Sequence, residues 1–311
     1  MEPINFYTKT KRFLEEQAFK RGVRDLSEYY ELTDFKSNWF QTILSMQFEG
    51  DSEMNLVFAQ LLFHSQNTSR KEKIIKFEEK LGFLRLMFYE FSIEQFIEHY
   101  CSNGDEEEQI LNLVEALRYD EDRNSEGLIW DSTKSKEENK DQIVRGFART
   151  AIRGAKYLSR FKTKNEFVCD LLNNYKGDNK RLINYFINQI GKGSGFSVAL
   201  TCDFLKELDC SFDFLAKPDI HIKDVMARVL CKPDDYYYDK DFECLNEFQD
   251  LVKHINESLS ETNSNPITVY QLDRMVWLIC SGNFFLEEYN KYDKTKYLSY
   301  LQYDYALDDL I

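Results

Sequence analysis

The chain has 311 residues, 43% of them hydrophobic, and a net charge of −14 from 40 Lys and Arg against 54 Asp and Glu. This length and apolar content exclude a disordered chain and allow one large domain or two modest ones. No stretch approaches the roughly 18 uninterrupted apolar residues of a membrane helix, and the opening Met-Glu-Pro-Ile-Asn-Phe lacks a basic-then-apolar signal region. The expectation is a cytoplasmic protein (nuclear in a eukaryote), with no signal peptide and no membrane partner. The seven cysteines, Cys101, Cys169, Cys202, Cys210, Cys231, Cys244 and Cys280, form no C-x-x-C pair. Reduced, mostly buried thiols are expected, with neither a disulfide framework nor a zinc or iron–sulfur site. The acidic total alone argues against nucleic acid, but where the charge sits matters more than its sum. Much of the acid is clustered locally, as in Asp105-Glu106-Glu107-Glu108, Asp120-Glu121-Asp122 and Asp234-Asp235.

Only four prolines and twelve glycines interrupt the chain, and apolar residues recur at spacings of three and four. The pattern is all-α. It predicts helices at about 7–20, 26–47, 52–66, 69–81, 92–101, 106–118, 135–160, 164–175, 179–190, 195–208, 220–230, 240–259, 267–280 and 291–306. Residues 119–140 are rich in Asp, Glu, Asn, Ser and Lys, with Trp130 in their midst, and read as an acidic insertion or ordered loop. A polar break at 258–265 precedes Pro266, which suits the first turn of a helix. Trp277 reads as core packing.

From Gln142 to Asn165 there is no acid. Arg145, Arg149, Arg153, Lys156 and Arg160 recur at steps of three and four, on one face of a helix turning about 100° per residue. Val144, Phe147, Ala151, Ala155 and Leu158 line the opposite face. Two readings fit this row. It meets phosphates, or it is a solvated face paired with acids of neighbouring helices. Like charges at this spacing repel by a few tenths of a kcal/mol each, so either reading needs counter-charge.

Next comes a helix from Arg181 to Ile190, then Gly191-Lys-Gly-Ser-Gly, then a second helix from Phe196. Glycine permits positive φ and close backbone approach. The turn is expected to present the N–H groups of Gly193, Ser194 and Gly195 at a helix N-terminus, where the dipole favours a phosphate. The plainer alternative is a helical corner in which glycine only ends one helix. Further on, Asp219 follows Pro218 at the mouth of another helix, as a catalytic carboxylate or as an N-cap.

Gly193-Ser194-Gly195-Phe196-Ser197-Val198-Ala199 resembles the Leu-Pro-Gly-Val-Gly-Arg-Lys-Thr-Ala hairpin of the helix-hairpin-helix DNA glycosylase superfamily, the group of endonuclease III and the adenine glycosylases. Pro218-Asp219-Ile220-His221-Ile222 resembles that family's Val-Asp-Thr-His-Val segment at a similar separation. Upstream, Phe58-Ala-Gln-Leu-Leu-Phe-His-Ser-Gln-Asn-Thr resembles its Leu-Leu-Ser-Ala-Gln-Ala-Thr helix end, where a glutamine fills the gap left by an extruded base. Order and spacing hold from about Asn55 to Val229. Four features depart from the family. Ser197 stands where bifunctional members hold a Schiff-base lysine, the iron–sulfur cysteine cluster is absent, the region 119–140 is longer and more acidic than is usual there, and the net charge is unusual for a DNA repair enzyme.

The resemblance implies an all-α, two-lobed, helix-hairpin-helix DNA glycosylase-like fold with the active-site cleft between the helical lobes. One lobe is expected from 1–50 with 231–311, the other from 51–230, carrying the hairpin at 187–208 and the acidic insertion near 119–140. It implies a monofunctional DNA N-glycosylase, monomeric and without cofactor, that flips a damaged or modified base from double-stranded DNA and leaves an abasic site, in base-excision repair or in defence against modified phage DNA. Asp219 would be catalytic. Gly191, Gly193, Ser194, Gly195, Gln66, Arg145, Arg149, Arg153 and Lys156 would bind DNA. His64, Tyr157, His221 and Trp130 are candidates for the base pocket, and Lys192 and Lys217 leave strand cleavage open. The alternatives are a catalytically inactive helix-hairpin-helix DNA-binding protein and an acidic helical protein–protein adaptor.

Overall fold

The computed structural model describes residues 1–20, 53–65, 81–117, 142–191, 193–281 and 291–302. Among these there are thirteen α-helices and no strand, so the chain is all-α. The expected helix at 26–47, that at 69–81 up to residue 80, and the whole insertion at 119–140 lie outside the described residues. None of the described helices is long and apolar enough to cross a membrane. The chain divides into two compact units, one of Met1–Thr42 with Leu205–Ile311, the other of Ile43–Phe204. The sequence places the second boundary near 230. The structure has it at 204/205, inside a helix, so residues 205–230 and Asp219 with them belong to the unit that holds both termini.

The central unit contains α2 (Glu53–His64), α3 (Leu81–Met87), α4 (Ile93–Tyr100), α5 (Glu106–Leu117), α6 (Gln142–Leu158), α7 (Lys164–Tyr175), α8 (Asn179–Ile190) and the start of α9 (Val198–Leu208). Helix α6 is its hub, packed by α2, α4, α5 and α8. Its apolar stripe, including Val144, Phe147, Ala151, Ala155 and Leu158, is buried as the spacing predicts. Gly154 lets α2 come close, since a Cβ there would stand 2.5 Å from Leu61. The adjoining core is aromatic, with Phe88 stacked on Phe96 at 5.2 Å and edge-on to Phe147 at 5.7 Å.

Local signals set the helix ends here. Thr163 caps α7 by accepting from the Glu166 N–H, while Glu166 reaches back to the Lys162 N–H. Lys176 then adopts the left-handed conformation that ends α7. Asp178 starts α8 by accepting from the N–H groups of Lys180 and Arg181.

The terminal unit contains α1 (Pro3–Lys20), the end of α9, α10 (Ile220–Val229), α11 (Asp241–Glu261), α12 (Val269–Ser281) and α13 (Lys291–Gln302). Helix α12 is packed by α1, α10, α11 and α13. Phe13 of α1 meets the rings of Tyr297 and Tyr300, and the Thr10 hydroxyl lies 2.7 Å from that of Tyr297. The Met1 ammonium donates to the Val229 carbonyl at the C-terminus of α10, where the helix dipole favours a cation.

Three expectations change here. The polar break expected at 258–265 begins later, at Thr262, because the helix before it runs on to Glu261. Pro266 does not open a helix; Thr268 and Gln271 do, as a reciprocal capping box in which each side chain accepts from the other's N–H. Of the seven cysteines only Cys202, Cys244 and Cys280 are buried, while Cys169, Cys210 and Cys231 are exposed.

Candidate functional site

The basic row of α6 meets the first turn of α5. Arg145 pairs with Glu107, and Arg149 approaches the same carboxylate at 4.0 Å. Arg153 donates twice to Glu106 Oε1, at 2.8 and 2.6 Å, and Lys156 donates to Gln109 Oε1 at 2.7 Å. The Arg153 hydrogen bond, aided by the charges of Arg153, Lys156 and Arg149, holds the Glu106 carboxyl below the usual glutamate range. Burial, then the neighbouring Arg153 and Arg145, lower Arg149 from the ordinary arginine value. Arg160 leaves the row for Gln189 at 3.3 Å and lies over the Tyr157 ring. This is the geometry of the second reading of the row, in which its counter-charge comes from a neighbouring helix. Arg145 keeps two-fifths of its side chain exposed, and Arg149 and Arg153 a fifth to a quarter.

The hairpin forms as α8, a turn and α9, but its donors are largely committed. Gly191 and Gly193 have φ of +83° and +80°, which only glycine adopts without strain. The Gly191 N–H closes α8 on the Ile187 carbonyl, and the Ser194 N–H donates to the Gly191 carbonyl at 3.3 Å. The Gly195 N–H donates to Thr150 Oγ1 at 3.2 Å, and Arg149 donates to the Gly193 carbonyl at 2.8 Å. Two of the three N–H groups expected to face an anion are thus used within the unit, which corrects that expectation for Ser194 and Gly195. Gly193 itself is exposed.

Close packing accounts for the other glycines. A Cβ on Gly191 would strike the Arg153 guanidinium, and one on Gly195 would strike the Ser65 carbonyl oxygen. The second helix also starts later than expected, at Val198. Ser197 accepts from the Leu200 N–H at 3.3 Å, so the residue at the family's lysine position caps a helix.

In the terminal unit, Asp219 is the N-cap of α10. Its Oδ1 accepts from the N–H groups of His221 at 2.8 Å and Ile222 at 3.3 Å, and its carbonyl accepts from Lys223. Oδ2 accepts no hydrogen bond among the described residues, and the residue is half-buried. The preceding backbone is tightly held. The Asp219 N–H donates to the Lys217 carbonyl at 2.7 Å across Pro218, and the Lys217 N–H donates to Asp273 Oδ1 at 3.0 Å. Asp273, from α12, is buried and paired with Lys206 of α9. Beside that pair, Glu207 lies 3.8 Å from Arg274 and accepts from the Tyr270 hydroxyl. Burial raises the Asp273 carboxyl, against the opposing pull of Lys206.

Of the remaining candidates, His64 and Tyr157 belong to the central unit and His221 to the terminal one. His64 is buried, 3.4 Å from Asp203 and edge-on to Phe63 and Phe204, a residue of the core of its unit. Tyr157 is buried and donates to Asp170 at 3.0 Å, as Tyr185 does at 2.8 Å. That carboxylate fastens α6, α7 and α8 together, so Tyr157 is committed to helix packing rather than a base pocket. His221 is largely buried at the first turn of α10, where desolvation lowers its pKa below the ordinary histidine value. Trp277, expected in the core, is half-buried beneath the Arg274 guanidinium. Gln66, Trp130 and Lys192 lie outside the described residues. Thr150, Lys206 and Asp273 carry no motif, and each has a charged neighbour in the sequence, so nothing local marks them as buried.

Compared with protein-family models, with curated proteins and with solved structures, the chain has no match. The likeness to helix-hairpin-helix glycosylases therefore rests on the quoted residues alone.

Proposed function

We propose that the protein is a monofunctional DNA N-glycosylase, with Asp219 as its catalytic carboxylate. Hydrolysis of an N-glycosidic bond builds positive charge on the deoxyribose as the base departs. A carboxylate beside the sugar stabilises that charge and activates the attacking water. The observation that carries the reading is the division of labour within Asp219: Oδ1 is fixed by two backbone N–H groups, and Oδ2 accepts nothing among the described residues. The helix–turn–helix hairpin, Ser197 at the lysine position and the order of the motifs support it further. A duplex base must be extruded to reach such a carboxylate.

Asn caps helices as well as Asp does. Asp219→Asn is therefore expected to keep thermal stability within a few tenths of a kcal/mol, retain duplex binding and abolish base release. The assay exposes purified protein to genomic DNAs bearing different modified bases and identifies released bases by mass spectrometry. Full release by Asp219→Asn would reduce Asp219 to a cap. A second reading has its own support. The basic row of α6 is neutralised by α5, which suits an acidic helical adaptor that binds a basic protein. Duplex binding at moderate salt separates the two.

A further inference from the structure

Lys206 and Asp273 are charged residues at buried positions of α9 and α12, and their side chains are only 3% and 2% exposed. Such a pair gives up the hydration of both ions, and apolar residues of similar volume serve stability as well or better. Stability alone therefore does not explain a carboxylate at 273. Its contacts do. One oxygen receives the Lys206 ammonium and the other the Lys217 N–H. A carboxylate offers acceptors on both oxygens, whereas an amide of the same shape offers one acceptor and one donor.

The Lys217 N–H is the start of a held segment. Lys217 is fixed at its nitrogen by Asp273 and at its carbonyl by the Asp219 N–H, and Pro218 between them has a locked φ. Asp219 then anchors Oδ1 on the next two N–H groups of α10. Asp273 thus sits one hydrogen bond upstream of the backbone that aims Oδ2. We propose that Asp273 is a positioning residue, with Lys206 its counter-ion, that holds Lys217-Pro218-Asp219 so that Asp219 keeps one oxygen presented for chemistry; this rests on Asp219 being the catalytic carboxylate. Lys206 is required because an unpaired anion at 273 would lie buried near a second carboxylate, and the two repel.

The test compares Asp273→Ala, Asp273→Asn and the double variant Lys206→Met with Asp273→Asn. The measurements are single-turnover base release, duplex Kd and hydrogen exchange at the Lys217 amide. Asp273→Ala is expected to slow release by roughly 10- to 100-fold, the scale of a slightly misplaced catalytic group, with Kd unchanged and the amide exchanging faster. Asp273→Asn alone should also be slow, because its single oxygen cannot serve both donors. Removing the Lys206 ammonium frees that oxygen for Lys217, so the double variant should recover release and amide protection. It also carries no unpaired buried charge, so it answers the question even if Asp273→Ala fails to fold.

Unchanged release in Asp273→Ala, or a double variant no faster than Asp273→Asn, overturns the proposal. If the wild-type protein releases no base from any DNA, the glycosylase reading fails by itself. Exchange at Lys217 then still decides whether Asp273 holds the segment, and equal exchange in wild type and Asp273→Ala overturns it.

Discussion

Exchanging the charges of Glu106 and Arg153 separates the two roles open to the basic row. Arg153 makes two short contacts to one glutamate oxygen, with its side chain 27% and that of Glu106 41% exposed. Hydrogen bonds between charged groups contribute about 1.5–3 kcal/mol when dry, and exposed ion pairs about 0.2–1 kcal/mol. This half-wet pair belongs at about 1 kcal/mol on those scales. Arg153→Glu removes it and adds repulsion of similar size, for a cost of roughly 1–2 kcal/mol. That lowers Tm by several degrees, at about 2–4 °C per kcal/mol for units of this size. The exchange variant, Glu106→Arg with Arg153→Glu, restores the attraction but sets a new arginine beside Arg149 and Lys156, which attract Glu106 in the native protein. About half the loss should return in a thermal melt. Duplex affinity, measured by anisotropy across salt concentrations, follows the other role. If Arg153 reaches a phosphate, the exchange variant stays weak and its log–log salt slope is shallower by about 0.9. An exchange variant as unstable as Arg153→Glu would refute the pairing argument, leaving packing over Gly191 as the contribution of Arg153.

Two further outcomes are expected. Gly191→Ala forces a Cβ onto a backbone at φ +83° and ψ +154°, a conformation essentially reserved for glycine, and against the Arg153 guanidinium, costing about 1–3 kcal/mol for the backbone alone; a melt unchanged from wild type would remove the strain argument. His221 titrates below the ordinary histidine value because burial disfavours its charge, facing Asp219, Asp224, Lys217 and Lys294. Its contribution is therefore complete above about pH 6.5, the unfolded value, and is lost as pH falls toward the folded pKa, where the unfolded chain binds more protons. Stability measured between pH 5 and 8 should flatten in His221→Gln, and a profile identical to wild type would contradict this.

The sequence exposed what is periodic or local. The two faces of α6, the glycine turn between α8 and α9, and Asp219 at the start of α10 all follow from spacing and capping chemistry. What escaped depends on a partner distant in the chain. Glu106 and Glu107 read only as part of a local acidic cluster, and the packing of α5 on α6 is what makes them the counter-charge of the arginines. The N–H of Gly195 looks available until the fold brings Thr150 beside it. Lys206 and Asp273, each beside another charge in the sequence, look like ordinary polar positions of a helix, because nothing local says that one neutralises the other or that Lys217 needs an acceptor. Helix ends failed where a weaker signal prevailed: the Thr268–Gln271 box, not Pro266, starts α12, and Ser197, not glycine, starts α9.

The two duties open to Asp219, the helix cap it is and the catalytic carboxylate proposed for it, also make this position a historical recorder. A side chain kept only to begin a helix drifts freely among Asp, Asn, Ser and Thr, which do that work about equally well. One kept for its negative charge tolerates none of the neutral three. In descendants of this gene, or in a saturation library selected for function, the identity of that single residue would tell which duty selection has been enforcing.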